Sequence, residues 1–326
     1  MKKLFILSLL MLLVSGAAYA DVSDTHTAER SSALTGSMKD PDPAVRAAAA
    51  RSLGDMNERS AVPALSAMLV EDKDENVRLA ALGALLVISD KQAMPAYLKA
   101  LKDESGEVRQ SAAEALAGIW DASGEKALIN AMLTDPSPRV RQYAAESLGK
   151  PGDGGPDPLH PEKYEALQDA LIQVLKKDEN YEVRTAAATV LGEMKGDKSL
   201  DPLLEALSGD KNPSVRAAAA EAVGLFESDK AVEPLINVLY FEKDDSVILN
   251  AIKALKYSTD PRIGEPLIAQ LKSSSEHVRW QAIDLIESLR LKDAADQLRE
   301  MSGDAYEADG VRTKASEALE LLGDED

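Results

Sequence analysis

Apolar and polar positions recur along this chain with a long, nearly constant period. Asp135–Gly149, DPSPRVRQYAAESLG, shows the unit: an acid, a short polar turn, Val-Arg, a small-residue stretch and then Leu. Valine returns in that register at Val45, Val77, Val108, Val140, Val183, Val215, Val247, Val278 and Val311. The spacings are 32, 31, 32, 43, 32, 32, 31 and 33 residues. A period in that range predicts stacked supersecondary units, each too small to bury its own apolar face.

Two helices are predicted per unit. The first to be argued starts three residues before the marker valine, at Asp42, Asp74, Ser105, Ser137, Asn180, Asn212, Asp244 and Ser275 in eight copies. These are side chains that accept a free backbone N–H at a helix start. Pro43, Pro138 and Pro213 follow at the first helical position, where proline loses nothing. Four residues after each valine stands alanine, from Ala49 and Ala81 through Ala144 and Ala187 to Ala315, and eight residues after it an aliphatic side chain such as Leu53, Leu148, Val223 or Ile286. Those positions share one helical face, and small residues on it permit close helix–helix approach. Gly54, Gly149, Gly192 and Gly224 then suit a helix C-terminus.

The partner helix is typified by Ala61–Leu69, Ala231–Leu239 and Ile263–Leu271. Pro63, Pro95, Pro202, Pro234 and Pro266 are expected in its first turn, and pairs such as Leu235/Leu239 form its apolar stripe. Upstream of the first full unit an imperfect helix is expected, with Leu34 and Met38 on one face. The 43-residue gap holds an extra KPGDGGPDPLHPEKY, Lys150–Tyr164, which reads as an inserted loop between four repeats and five.

The recurring cap, Val-Arg, Ala and Leu resemble the HEAT-repeat family, specifically the short HEAT-like repeats of the phycobilisome-lyase type, over roughly Met38–Gly323. The resemblance implies an all-α fold, a right-handed superhelical solenoid of about nine HEAT-like antiparallel helix pairs. The Val-Arg helices would line its concave side, and most such proteins are scaffolds for other proteins. It also implies a ladder of hydrogen-bonded acids and arginines linking repeats. Here the acid lies six residues before the arginine in Asp40/Arg46, Asp72/Arg78, Asp103/Arg109, Asp135/Arg141, Asp178/Arg184 and Asp210/Arg216. Later copies depart from it: Glu242 and Ile248, then Ser273 with Arg279, then Tyr306 with Arg312. Terminal capping or drift is one reading of these departures; a binding region in repeat seven is the other.

Residues 1–20 stand apart from the repeats. Lys2 and Lys3, the apolar run Leu4–Val14 and Ala18-Tyr19-Ala20 read as a secretory signal peptide cleaved after Ala20. Eleven apolar residues are too few to cross ~30 Å of hydrocarbon as a helix. The expected product is a periplasmic or secreted single solenoid, 21–326, with no membrane insertion after cleavage. Its net charge is −19 with the leader lysines and −21 without them, which disfavours nucleic acid and anionic membranes as partners. With no cysteine there are no disulfides and no thiolate metal site.

Enzymatic chemistry is scarce. Histidine occurs only at His26, His160 and His277, and no HExxH, GxSxG, P-loop or dinucleotide fingerprint is present. Deoxyhypusine hydroxylase, a HEAT-like enzyme, binds iron through His-Glu dipeptides, and this chain has none. An export signal also argues against a bilin lyase, which works in the cytosol. No enzyme activity and no cofactor are expected. Asp153 and Asp157 in the inserted loop invite a calcium-responsive envelope or adhesion reading, but two carboxylates fall short of a calcium loop's ligand set.

The expectation is a non-enzymatic scaffold or adaptor that holds a protein or peptide in the groove of the Val-Arg helices. Two residues after the valine, away from the core stripe, stand Gln110, Gln142, Leu249 and Trp280 among mostly small residues. Leu249, Asn250, Trp280 and Gln281 form the expected anchor, with Gln110, Gln142 and Tyr143 as further candidates. Trp280 has an alternative role, filling space beside Ile248 or under the next repeat, and Trp120 is expected in the core.

Overall fold

The computed structural model describes residues 29–117, 122–150 and 164–323. Among them every regular element is helical, with no strand. The Val-Arg helices are α2 (Pro43–Asp55), α4 (Glu75–Ile88), α6 (Gly106–Ala117), α8 (Pro138–Gly149), α10 (Tyr181–Met194), α12 (Pro213–Gly224), α14 (Asp245–Ala254), α16 (Glu276–Leu289) and α18 (Asp309–Leu322). Between them run α1 (29–37), α3 (Val62–Glu71), α5 (Met94–Ala100), α7 (Ala122–Thr134), α9 (Glu165–Lys177), α11 (Leu200–Gly209), α13 (Asp229–Phe241), α15 (Gly264–Ala269) and α17 (Ala295–Gly303).

The helix starts follow the sequence. Asp42, Asp74, Ser105, Asn180, Asn212 and Asp244 each accept a backbone N–H from the first turn that follows. Ser137 and Ser275 occupy the cap position without a side-chain bond. Short 3₁₀ turns precede α3, α5 and α15, so Pro63, Pro95 and Pro266 stand in the first α-helical turn. Pro234 differs: α13 is α-helical from Asp229, capped by Ser228, and the proline lies inside the helix.

The chain divides into two compact units, Met1–Ala127 and Leu128–Asp326, parting within α7. Both are built in two layers. In the first, α2, α4 and α6 pack side by side, with α3 and α5 behind them. In the second, α8, α10, α12, α14, α16 and α18 form one layer, and α9, α11, α13 and α15 pack in sequence in the other. The insertion does not open a gap in that layer, because α8 packs directly on α10. Residues 151–163 of that insertion, including Asp153, Asp157 and His160, lie outside the described residues, as do 1–28 with the leader and His26, and Trp120.

The interior is what the periodicity placed there. The alanine four residues after each valine is buried in all nine repeats. The marker valines are buried from Val77 onward, and only Val45, on the first Val-Arg helix, is 38% exposed. The glycines near the ends of these helices serve packing rather than termination. A Cβ on Gly192 would sit 2.7 Å from the Ala222 Cα, and one on Gly224 would sit 2.8 Å from that of Ala254. Gly54 meets Ala84 in the same way, and Gly149 meets the Val190 side chain. The left-handed residues that end α4, α10 and α16 are instead Ser89, Lys195 and Arg290. Backbone proximity between neighbouring helices selects glycine here, one turn earlier than a C-terminal cap would.

Candidate functional site

The acid and arginine of the motif belong to different repeats when they pair. Arg46 donates from Nε and Nη2 to the Asp72 carboxylate at 2.7 and 2.8 Å, while its Nη1 donates to the Asp40 carbonyl at 2.9 Å. Arg46 therefore holds the turn of its own repeat by a backbone oxygen and the next repeat by a carboxylate. The same fork joins Arg141 to Asp178, Arg184 to Asp210 and Arg216 to Glu242. Arg78 reaches Asp103 through Nη2 alone, and Arg279 reaches Glu307 likewise; in both the buried Nε has no partner among the described residues. Arg109 donates Nη1 to the Asp103 carbonyl at 2.9 Å, and Asp135 accepts the Ser137 amide at 2.9 Å.

The carboxylates work twice. Asp72, Asp103, Asp178 and Asp210 each accept the backbone N–H two residues on, which fixes the turn into the Val-Arg helix. Glu242 does so too, toward Asp244, its extra methylene still letting it receive both Arg216 nitrogens. Asp72 is held below the usual carboxylate range chiefly by the Arg46 hydrogen bond. For Glu242 burial opposes ionisation, yet Arg216 and two backbone amides outweigh it and bring the pKa down to about 2. Charge-assisted, forked bonds of this kind are strong and directional, and here they are spent on structure.

Repeat seven breaks this ladder in a matched way. Ile248 stands in place of its arginine and is buried. The acceptor that arginine would need, in repeat eight, is Ser273, whose hydroxyl caps the turn by accepting the Ser275 amide. Arginine and carboxylate are thus absent from the same rung. Repeat nine resumes with Glu307, one residue beyond the expected position, bonded to Arg279 at 2.6 Å. Arg312 donates to Asp309 in its own helix. The signal was present in the sequence, but only when the arginine of one repeat is compared with the acid of the next.

What remains for chemistry is the solvent-accessible face of the even-numbered helices. Leu249 and Asn250 are half-buried on α14, and the Asn250 amide donates to the Ala217 carbonyl of α12 at 3.0 Å. Trp280 is 41% exposed on the adjacent α16, with half-buried Gln281 beside it. Lys314 of α18 lies over the Trp280 ring, 5.5 Å from its centroid, and its ammonium is 2.7 Å from Glu287 and 3.2 Å from Asp284. Gln142 donates to Glu146 within α8, and Tyr143 and Gln110 are half-buried. Gln142 also lines a groove of about 510 Å³ between α8 and α10, which the sequence did not single out. A larger groove, about 890 Å³, lies between α11 and α13, beside the Arg216–Glu242 rung and the 77% exposed Phe241.

Among the described residues, no group of three or more histidine or acidic side chains is placed to hold a metal ion. No described helix is long and apolar enough to cross a membrane.

Comparison with solved structures places this architecture. The Escherichia coli protein YibA matches with a TM-score of 0.58 at 20% identity, over 84% of this chain and 96% of its own. Yeast importin-β, Kap95p, matches with a TM-score of 0.64 at 16% identity, over 90% of this chain but 46% of its own. In its complex with RanGDP, Kap95p gives 0.67 at 16% identity, over 90% and 45%. The chain thus spans less than half the length of that importin, and at these identities the likeness shows the fold. No curated protein matches by sequence. A family model described as HEAT repeats matches residues 31–117, 94–171, 168–256 and 232–320. With those matches covering residues 31 to 320, the chain belongs to the HEAT-repeat family.

Proposed function

We propose that this protein is an exported, non-enzymatic scaffold that binds a partner protein or peptide in the concave groove lined by its Val-Arg helices. The observation that carries the reading is Trp280, a large aromatic left 41% exposed on α16 where every fixed motif position is occupied by capping, ladder or core. Tryptophan at a partly covered site is the kind of residue on which interface energy concentrates. Leu249, Asn250 and Gln281 flank it on α14 and α16, and Gln110, Gln142 and Tyr143 extend the same kind of face on other repeats. Solved solenoids of this architecture carry protein ligands: Kap95p binds RanGDP, and Kap121p is bound to Nup53p. Fold likeness supports binding as the mode of action and leaves the partner's identity to experiment.

Export rests on the leader, Met1–Ala20. Cell fractionation with N-terminal sequencing tests it: periplasmic or secreted protein beginning at Asp21 agrees, and a cytosolic protein retaining Met1 contradicts it. Affinity purification of the tagged full chain from the native envelope tests the scaffold reading. A protein recovered in stoichiometric amount with the wild type and lost with Leu249→Ala/Trp280→Ala supports it. Recovery unaffected by both substitutions refutes the site.

A further inference from the structure

Within the unit Leu128–Asp326, successive Val-Arg helices are fastened in two ways. One is the ionic rung, Arg141–Asp178, Arg184–Asp210 and Arg216–Glu242. The other is close approach at the glycine nine residues after the valine. Gly149 meets the Val190 side chain, Gly192 meets Ala222 and Gly224 meets Ala254. The contacts α8–α10, α10–α12 and α12–α14 each have both. Between α16 and α18 the rung is Arg279–Glu307, and Lys314 adds bonds to Asp284 and Glu287.

The contact between α14 and α16 has neither fastening. Its rung is the Ile248/Ser273 vacancy. Nine residues after Val247 stands Lys256, exposed and already past the end of α14 at Ala254. Where α12 and α14 present Ala222 and Ala254 to a glycine, α16 carries Leu285. Among the described residues, no hydrogen bond or ion pair joins α14 to α16. The two helices still pack on each other, and every buried residue on either is alanine or aliphatic. Apolar packing is attractive without being directional, whereas forked ionic bonds fix register.

The partner helices of the same two repeats are tied. Gln270, just after α15, donates its amide to the Leu239 carbonyl of α13 at 2.6 Å. Arg262, in the 3₁₀ turn before α15, bonds Glu233 of α13 at 2.6 Å. One layer is pinned at this level and the other is free to shift.

We propose that α14–α16 is the joint of this unit, where repeats eight and nine rock against repeats four to seven. The pivot is the α13–α15 layer, held by Gln270 and Arg262, and the opening is on the Val-Arg side. Packed helices of this kind move by small sliding displacements. Leu249 and Asn250 lie on one side of the joint and Trp280 and Gln281 on the other, so rocking changes the spacing within that patch. The joint stands without the protein-binding reading, and its test needs no partner.

The chain has no cysteine, so spin labels go only where cysteine is introduced. Thr189, Lys253 and Glu317 are exposed and stand six residues after the valines of α10, α14 and α18. Each consecutive pair is two repeats apart, and only the second pair spans the joint. Double electron–electron resonance on the full mature chain is expected to give Lys253→Cys/Glu317→Cys a distance distribution at least twice as wide as Thr189→Cys/Lys253→Cys. Restoring the rung with Ile248→Arg/Ser273→Asp is expected to narrow the wide distribution. Arg216→Ile/Glu242→Ser, which copies the vacancy one repeat earlier, is expected to broaden the narrow one and decides the matter if the restored variant does not fold. Equal widths in the two parent pairs overturn the proposal. So does a folded restored or copied variant whose width stays at its parent's value. None of these outcomes bears on partner capture, which Leu249→Ala/Trp280→Ala tests separately.

Discussion

Ile248 and Ser273 occupy the two ends of one missing rung. Every other Arg–acid pair shown between successive repeats joins an arginine to the carboxylate of the following repeat, and here both partners are replaced together, by a buried aliphatic side chain and a hydroxyl. An arginine at 248 facing a serine would be a buried charge without its counter-ion, and an acid at 273 facing isoleucine would lack its cation. Joint loss avoids both penalties.

A double-mutant cycle reads that coupling. Ile248→Arg alone is expected to destabilise the protein by about 2–3 kcal/mol, through lost packing and an unpaired charge. Ser273→Asp alone changes stability by less than ~1 kcal/mol. The double variant recovers about 1–2 kcal/mol relative to the sum. Urea unfolding followed by circular dichroism gives all four values, and a coupling near zero would show that the two positions are independent.

The Glu242 carboxylate predicts an acid-dependent stability. Its folded pKa of about 2 lies below its ordinary value of 4.5, so the folded state favours the charged form. Its contribution is complete above pH ~4.5, on the order of 2–3 kcal/mol, and is lost as the pH falls toward 2. Asp72, Asp210 and Glu307 are shifted in the same direction and add to the slope. Glu242→Gln should therefore lower the urea midpoint at pH 7, with the difference from wild type shrinking steadily between pH 4.5 and 2. A pH-independent difference would contradict the ion pair as its source.

Glycine substitutions should divide by neighbour, not by helix propensity. Gly83→Ala, with nothing within 4 Å of the added Cβ, is expected to stabilise α4 by about 0.5–1 kcal/mol. Gly192→Ala drives the same carbon to 2.7 Å from the Ala222 backbone and is expected to cost about 1–3 kcal/mol as α10 and α12 are forced apart. Thermal melts of the two variants should shift in opposite directions.

The helix pairs were legible because the small Ala and the aliphatic position eight residues on recur nine times and a capping residue type eight times, each under a local rule. Acid and arginine were legible as residue types, but within one repeat they pair through a backbone carbonyl, and their ionic partner lies about 26 residues away, as Arg46 does from Asp72. Gly192 looked like a terminator because its constraint comes from the facing helix. The α8–α10 groove was not legible at all, since its lining comes from two repeats, with Gln142 and Glu146 on α8 and Ala186 and Val190 on α10. Trp280 was picked out for its type and register, but the lysine over its ring belongs to the next repeat.

The central claim is a division of labour: fixed motif positions hold the stack, and variable solvent-accessible positions bind. Titration calorimetry against the protein recovered from the envelope, paired with a thermal melt, tests it in one comparison. Leu249→Ala/Trp280→Ala is predicted to weaken binding at least tenfold with an unchanged melt, whereas Arg184→Ala, which strands the Asp210 carboxylate, lowers stability by about 3 kcal/mol and binds normally while folded. Wild-type affinity in the first variant, or lost affinity in a folded Arg184→Ala protein, would contradict the account.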